Sequence, residues 1–284
     1  MECICIVVNT VFDLLLPFAW LQPEFMRLAL LALLLVAPLA AMLGVHVTSF
    51  QMAFFSDAIA HSAFTGLALG FLLSINPVLS ITLFALLMAL AMIKIEQSSR
   101  LAMDNIISVM MSSSIAVGLA IVSYRKTFLR DFQQYLFGDI LTVTKTELGL
   151  LALVFVLVTL FIAFSFNRLT LLALNPHLGI NRYQRVALEK TIFSLLVAVI
   201  VAVSIKMIGM LLITSMLVIP AVAARLIARN IRQTFWYALG FAVAAAVAGL
   251  MISYYADMST GATIILLLAG FFFCAYSVKI ILKR

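Results

Sequence analysis

Charge is scarce in this chain. Eleven acidic and eighteen basic residues make up 10% of its 284 positions, against about 25% in an ordinary soluble domain. That deficit excludes a soluble globular protein. Cysteine is scarce too: Cys3, Cys5 and Cys274 are too few and too scattered for a disulfide framework. Several motifs are missing. There is no G-x-x-x-x-G-K-[ST] run, so ATP hydrolysis does not reside in this chain. There is no H-E-x-x-H helix, which argues against a zinc hydrolase. No internal repeat is visible, whereas an ion-coupled secondary transporter is expected to show inverted halves. The N-terminus lacks a basic start, and Glu2 and Asp13 interrupt its apolar run, so a cleavable signal peptide is not expected.

What the chain has instead is long apolar runs, with 65% of residues hydrophobic. At about 20 residues per crossing, about eight spans use roughly 160 residues. The remainder suffices for short loops and one or two surface helices. The expected fold is all-α, a polytopic membrane bundle. The spans fall near 24–44, 52–73, 77–93, 105–123, 147–167, 191–205, 234–254 and 261–281. Residues 1–23 read as an N-terminal interfacial segment and 24–284 as a single transmembrane domain. Pro38 is expected to kink the first span, and His46 to sit in a solvated loop after it. Ser114 and Gly118 form a small-xxx-small pair suited to close helix packing. The middle of 124–146 reads as a short amphipathic surface helix. A shorter apolar run from Gly209 ends at Pro220, where a new helix is expected. That helix carries Arg225, Arg229 and Arg232 at helical spacing.

The stretch 51–73, QMAFFSDAIAHSAFTGLALGFLL, is the chemically unusual span. Asp57 and His61 lie four residues apart, on one helical face. An Asp at the centre of a membrane helix costs about 2.5–3.5 kcal/mol on insertion scales, so it marks a functional site by default. A carboxylate and an imidazole together suit a divalent transition metal. The same pair would also serve as a buried polar contact, hydrogen-bonded to itself. Asp257, before the last span, reads either as a capping acid or as a contact at the outer mouth. The basic segment 221–232 suits lipid headgroups or a docking partner.

Basic residues orient the bundle. With the N-terminus outside, twelve of the eighteen fall on the cytoplasmic side, among them Lys94, Arg168, Lys190, Arg225, Arg229 and Arg232. Six fall outside, among them Arg27, Lys145 and Lys206. The opposite orientation inverts that ratio. The net charge of +7 is accounted for in this way and does not require nucleic acid.

Four stretches, in order, carry a resemblance: FFSDAIAHSAFTGLALGF at 54–71, QYLFGDIL at 134–141, IGMLLITSMLVIPAVAARLIAR at 208–229, and SYYADMSTGATIILL at 253–267. Together they resemble the membrane permease of bacterial zinc, manganese or iron ABC importers, the metal ABC-3 type. The resemblance spans nearly the whole chain, from about residue 12. It implies a multi-pass protein of the bacterial cytoplasmic membrane that is not itself an enzyme. Its implied partners are a cytoplasmic ATPase, an extracytoplasmic metal-binding protein, and a second permease copy or a paralogue. It implies no permanently bound cofactor, the metal being cargo. Asp57 and His61 match the family's acidic and histidine positions in the pore-lining helix, and two copies meeting at a two-fold axis would offer four ligands. Asp257 matches a family position at an outer helix end. The segment near 220–232, with Pro220, Ala221, Ala224, Arg225 and Arg229, matches the coupling helix. This chain departs from the family pattern at Ser56, where glycine is usual, at 46–51, where arginine is frequent, and at Ser112, where zinc-type members often have histidine. The wording of QYLFGDIL and GMLLIT is closer to zinc-type members. The alternatives are an intramembrane metalloenzyme and an ion-coupled secondary transporter.

Overall fold

A computed structural model describes residues 19–99, 101–124, 138–174 and 183–282. Among the described residues there are nine helices long and apolar enough to cross a membrane, and no strand. They are α1 (Glu24–Ser49), α2 (Ala53–Leu72), α3 (Pro77–Ser98), α4 (Met103–Tyr124), α5 (Lys145–Leu174), α6 (Tyr183–Ile208), α7 (Met210–Ile227), α8 (Ile231–Ala256) and α9 (Thr260–Leu282). α1 packs against α5, α7 and α8; α2 is held between α3 and α4; α3 leans on α6; α7 packs on α8 and α9.

The sequence reading finds about eight of these helices; the one it does not count as a span is α7. The apolar run after Gly209 does not stop at Pro220. The helix continues through that buried proline to Ile227. Proline removes one backbone donor, but neighbouring helices make that tolerable inside a bundle. Pro38 likewise sits within an unbroken α1. Nine crossings among the described residues would put the start of α1 and the end of α9 on opposite sides. The orientation derived from basic residues requires this.

Ion pairs sort the helix ends into two groups. Lys145 pairs with Glu24 at 2.8 Å and Lys206 pairs with Glu147, joining the starts of α1 and α5 to the end of α6. Lys190 pairs with Glu96 at 2.7 Å and Arg168 with Glu189 at 2.9 Å, joining the end of α3 and the far part of α5 to the start of α6. The first group marks one end of the bundle and the second marks the other. Two of the basic residues assigned outside, Lys145 and Lys206, are therefore matched by glutamates on the same side.

Short connections follow local chemistry. The Asn76 side chain accepts from the Val78 N–H at 3.0 Å, with Pro77 opening α3. The surface helix expected within 124–146 falls mostly on 125–137, outside the described residues. A 3-10 turn follows at Ile140–Thr142, where the Asp139 carboxylate accepts from the Leu141 N–H. Most of the 1–23 segment also lies outside the described residues. Its described end turns inward: Trp20 and Leu21 are buried, and Arg27 Nε donates to the Leu21 carbonyl at 2.7 Å.

Candidate functional site

α2 starts after a tight turn in which the Met52 N–H donates to the Val47 carbonyl at 2.9 Å. Asp57 and His61 therefore lie on its second and third turns, on the same face. His61 Nε2 and Asp57 Oδ2 are 3.8 Å apart, and the two side chains are 33% and 42% exposed. That separation is too long for a hydrogen bond. The self-satisfied buried pair is thus not what folds. Both groups keep lone pairs free and open to their surroundings. Asp57 also lines a pocket of about 360 Å³ with Phe54, Asp104, Ile107, Ser108 and Met111.

The helix that carries the pair is clamped on both sides. Thr65 Oγ1 donates to the Ser114 carbonyl of α4, and Ser114 Oγ donates back to Thr65 Oγ1 at 3.1 Å. A Cβ on Gly118 would lie 2.6 Å from a Phe64 ring carbon, so only glycine permits this approach. The Ser114–Gly118 pair is a packing device, as its spacing predicts. On the opposite side Ser80 Oγ of α3 donates to the Gly66 carbonyl at 2.7 Å. Interhelical hydrogen bonds of this kind contribute about 0.6 kcal/mol each in membranes. Their main consequence here is to fix the rotation of α2, and with it the direction of Asp57 and His61.

Asp104 is the residue of this site that sequence reasoning missed. It stands in the first turn of α4, one residue before the span expected at 105–123. A signal was present: Asp104, Ser108 and Ser112 recur at intervals of four, a polar stripe on one face. All three are exposed. Among the described residues no group of three or more His, Cys, Asp or Glu is placed to hold one metal ion. A single copy therefore offers the Asp57–His61 pair and, separately, Asp104.

His46 departs from expectation. It is not in a solvated loop but in the last turns of α1, with 0% exposure. Its ring meets Phe166 edge-on at 5.1 Å between centroids and Phe193 at 6.0 Å. Neither ring nitrogen has a hydrogen-bond partner. The link from α1 to α2 spans only 50–52, so α1 extends past residue 44 and turns His46 inward below Leu39 and Leu43.

The segment after Pro220 also differs from expectation. There is no single basic helix over 220–232. α7 ends at Ile227, Ala228 is extended, and Asn230 caps α8 by accepting from the Gln233 N–H at 2.8 Å. Pro220, Ala221 and Ala224 are buried inside α7. Arg225, Arg229 and Arg232 are exposed around the α7–α8 turn. They have no acidic partner among the described residues, unlike Lys145, Arg168, Lys190 and Lys206. Asp257 is exposed at the end of α8 in the left-handed conformation (φ 55°, ψ 39°), its N–H bonded to the Ser253 carbonyl. The Ser253 hydroxyl closes the hairpin, donating to the Met258 carbonyl and meeting the Thr260 hydroxyl, each at 2.8 Å.

Known proteins resemble this chain along most of its length. The zinc uptake membrane protein ZnuB of Haemophilus influenzae is 29% identical over 249 residues, covering 88% of this chain and 95% of its own. The manganese import permease ScaB of Streptococcus gordonii is 28% identical, with 89% and 91% covered. The structure of PsaBC from Streptococcus pneumoniae in complex with Fab superposes with a TM-score of 0.78 at 25% identity, covering 96% of this chain and 95% of that one. The signature of the ABC 3 transport family matches residues 22–279, nearly the entire bundle including the Asp57–His61 helix. The chain is a multi-pass membrane permease and belongs to the ABC 3 transport family.

Proposed function

We propose that this permease carries a divalent transition metal ion into the cytoplasm, with zinc as the cargo. The observation that carries the reading is the Asp57–His61 pair: two free donors, 3.8 Å apart, half-exposed on a clamped helix. A pair that only stabilised the fold would be buried and mutually bonded. Imidazole with carboxylate suits zinc. Two ligands hold an ion too loosely for storage, which is what a pathway needs. A second copy across a two-fold axis would raise the number to four and complete a tetrahedral shell. The relatives' names include both zinc and manganese, so manganese is the cargo to test against.

The end of the bundle bearing Arg225, Arg229 and Arg232 is, in this reading, cytoplasmic. Those arginines form the docking surface for a separate ATPase subunit, which supplies the hydrolysis absent from this chain. Pro220, Ala221 and Ala224 act from inside α7, fixing where Arg225 emerges. Asp257 and the exposed Tyr254 and Tyr255 then face outward, where an extracytoplasmic metal-binding protein would deliver the ion.

The test is uptake of radiolabelled zinc and manganese in cells lacking their own importers, with membrane amounts measured in parallel. Asp57→Asn preserves shape but removes the charge, and His61→Ala removes the imidazole. Each is expected to lower uptake per inserted molecule by about a hundredfold, some 2.7 kcal/mol. Normal uptake by both variants would overturn the proposal.

A further inference from the structure

The described carboxylates divide into two kinds. Every described glutamate is neutralised: Glu24, Glu96, Glu147 and Glu189 each pair with a lysine or arginine. Asp139 caps a turn, and Asp257 lies at an open hairpin. Asp57 has only His61 beside it, and Asp104 has no ion-pair partner among the described residues. These two line the same pocket of about 360 Å³, whose other walls are Phe54, Ile107, Ser108 and Met111. No lysine or arginine among the described residues lines it. Two carboxylates facing one space with no described lysine or arginine make it attractive to a cation.

Position along the helices adds a direction. α2 and α4 both start at the bundle end that carries Glu96 and Lys190. Counting from each helix start at 1.5 Å per residue, His61 lies about 12 Å in, Asp57 about 6 Å and Asp104 about 1.5 Å. The donors descend toward that end. Asp104 does not join the other two as a third ligand of one ion; it shares the pocket with Asp57 and stands nearer the helix start.

Resting on the transport reading above, we propose that Asp104 is a second stop for the cation, taking it from Asp57 and His61 and passing it to the cytoplasm. A lone carboxylate with water holds a divalent ion more loosely than a carboxylate–imidazole pair, which suits release. The competing role is that of a first-turn acid favoured by the α4 dipole. A helix end loses little when one first-turn charge is removed, so Asn and Ser would sustain a merely structural role but not a cation contact.

The experiment uses the full chain with its ATPase and binding protein, and initial rates of zinc and manganese uptake per inserted molecule. Asp104→Asn and Asp104→Ser are expected to lose about tenfold or more in rate, and Asp104→Glu to keep most of it. Equilibrium binding of radiolabelled zinc to the purified Asp104→Asn complex is expected to match wild type, because Asp57 and His61 remain. Wild-type rates in Asp104→Asn and Asp104→Ser, with Asp57→Asn inactive alongside, would overturn the role of Asp104 alone. Loss of zinc binding in Asp104→Asn would place Asp104 in the upper site and overturn the relay. Normal transport by Asp57→Asn would overturn the reading on which it rests.

Discussion

Two histidines stand near the same end of the bundle, one on each side of the α1–α2 turn, and they live in opposite surroundings. His46 is sealed among Phe166 and Phe193 with both nitrogens unsatisfied. His61 is a third exposed and sits beside a carboxylate it does not hydrogen-bond. The residue type is the same, so the difference lies in helix phase and packing. At its end α1 packs His46 against the rings of Phe166 and Phe193. α2 turns one face outward because α3 and α4 grip its other sides. An imidazole in the first setting is a ring that fills space; in the second its nitrogens are open, as the proposed role as a ligand requires.

That contrast can be strained first at α1. Gly44 lies so close to α7 that a Cβ there would sit 1.9 Å from the Leu217 carbonyl oxygen. Backbone atoms cannot yield as a side chain can, so Gly44→Val is expected to cost about 3 kcal/mol or more. Membrane amounts of folded protein should collapse, as read by size-exclusion of a fluorescent fusion. Any molecules that survive should transport at a normal rate each, because the lesion is in packing.

A smaller effect is expected at the α7–α8 turn. Reversing Arg225 and Arg229 together to Glu should leave the fold intact and, if they form the proposed docking surface, reduce co-purification with an ATPase subunit several-fold through charge repulsion. Pull-down yield at matched permease amounts measures this. Unchanged yield would remove these arginines from the interface.

The smallest effect concerns the clamp on α2. Ser80→Ala removes the bond to the Gly66 carbonyl and should cost about 0.6 kcal/mol. A modest fall in thermal midpoint with near-normal uptake is expected. A large transport loss would mean that α2 rotation is held on the α3 side more than on the α4 side.

How much of this could be read in advance depends on what each signal competes with. Most spans were legible, because a run of about 20 apolar residues fits little besides a membrane crossing. α7 was not, since only ten residues separate Gly209 from Pro220 and proline usually ends a helix. Packing from α1, α8 and α9 overrides that signal. His46 was misplaced because the polar run His46, Thr48, Ser49 imitates a loop, whereas Thr48 and Ser49 hydroxyls turn back onto carbonyls of α1. The break between α7 and α8 was available and overlooked: Asn230 and Gln233 have the spacing of a helix cap, the Asn230 side chain accepts from the Gln233 N–H, and Gln233 Oε1 accepts from the N–H of Arg229, one residue before the cap, at 2.9 Å. Asp57 and His61 stand out in the sequence because membrane helices rarely carry such residues, and the structure leaves both partly exposed on one face of α2. Asp104 sat at a helix boundary, where acids are common for reasons of the helix dipole alone, and only the shared pocket shows what it faces.

The most direct test places the two histidines side by side. His46→Leu and His61→Leu make the same chemical change at the two sites, and zinc uptake per inserted molecule is measured for both. His46→Leu should keep at least about half of the wild-type rate, with stability unchanged or slightly higher, because a desolvated imidazole without partners is lost. His61→Leu should fall to about a hundredth, with normal membrane amounts. Equal rates in the two variants, or a transport loss confined to His46→Leu, would contradict the assignment of α2 as the metal pathway.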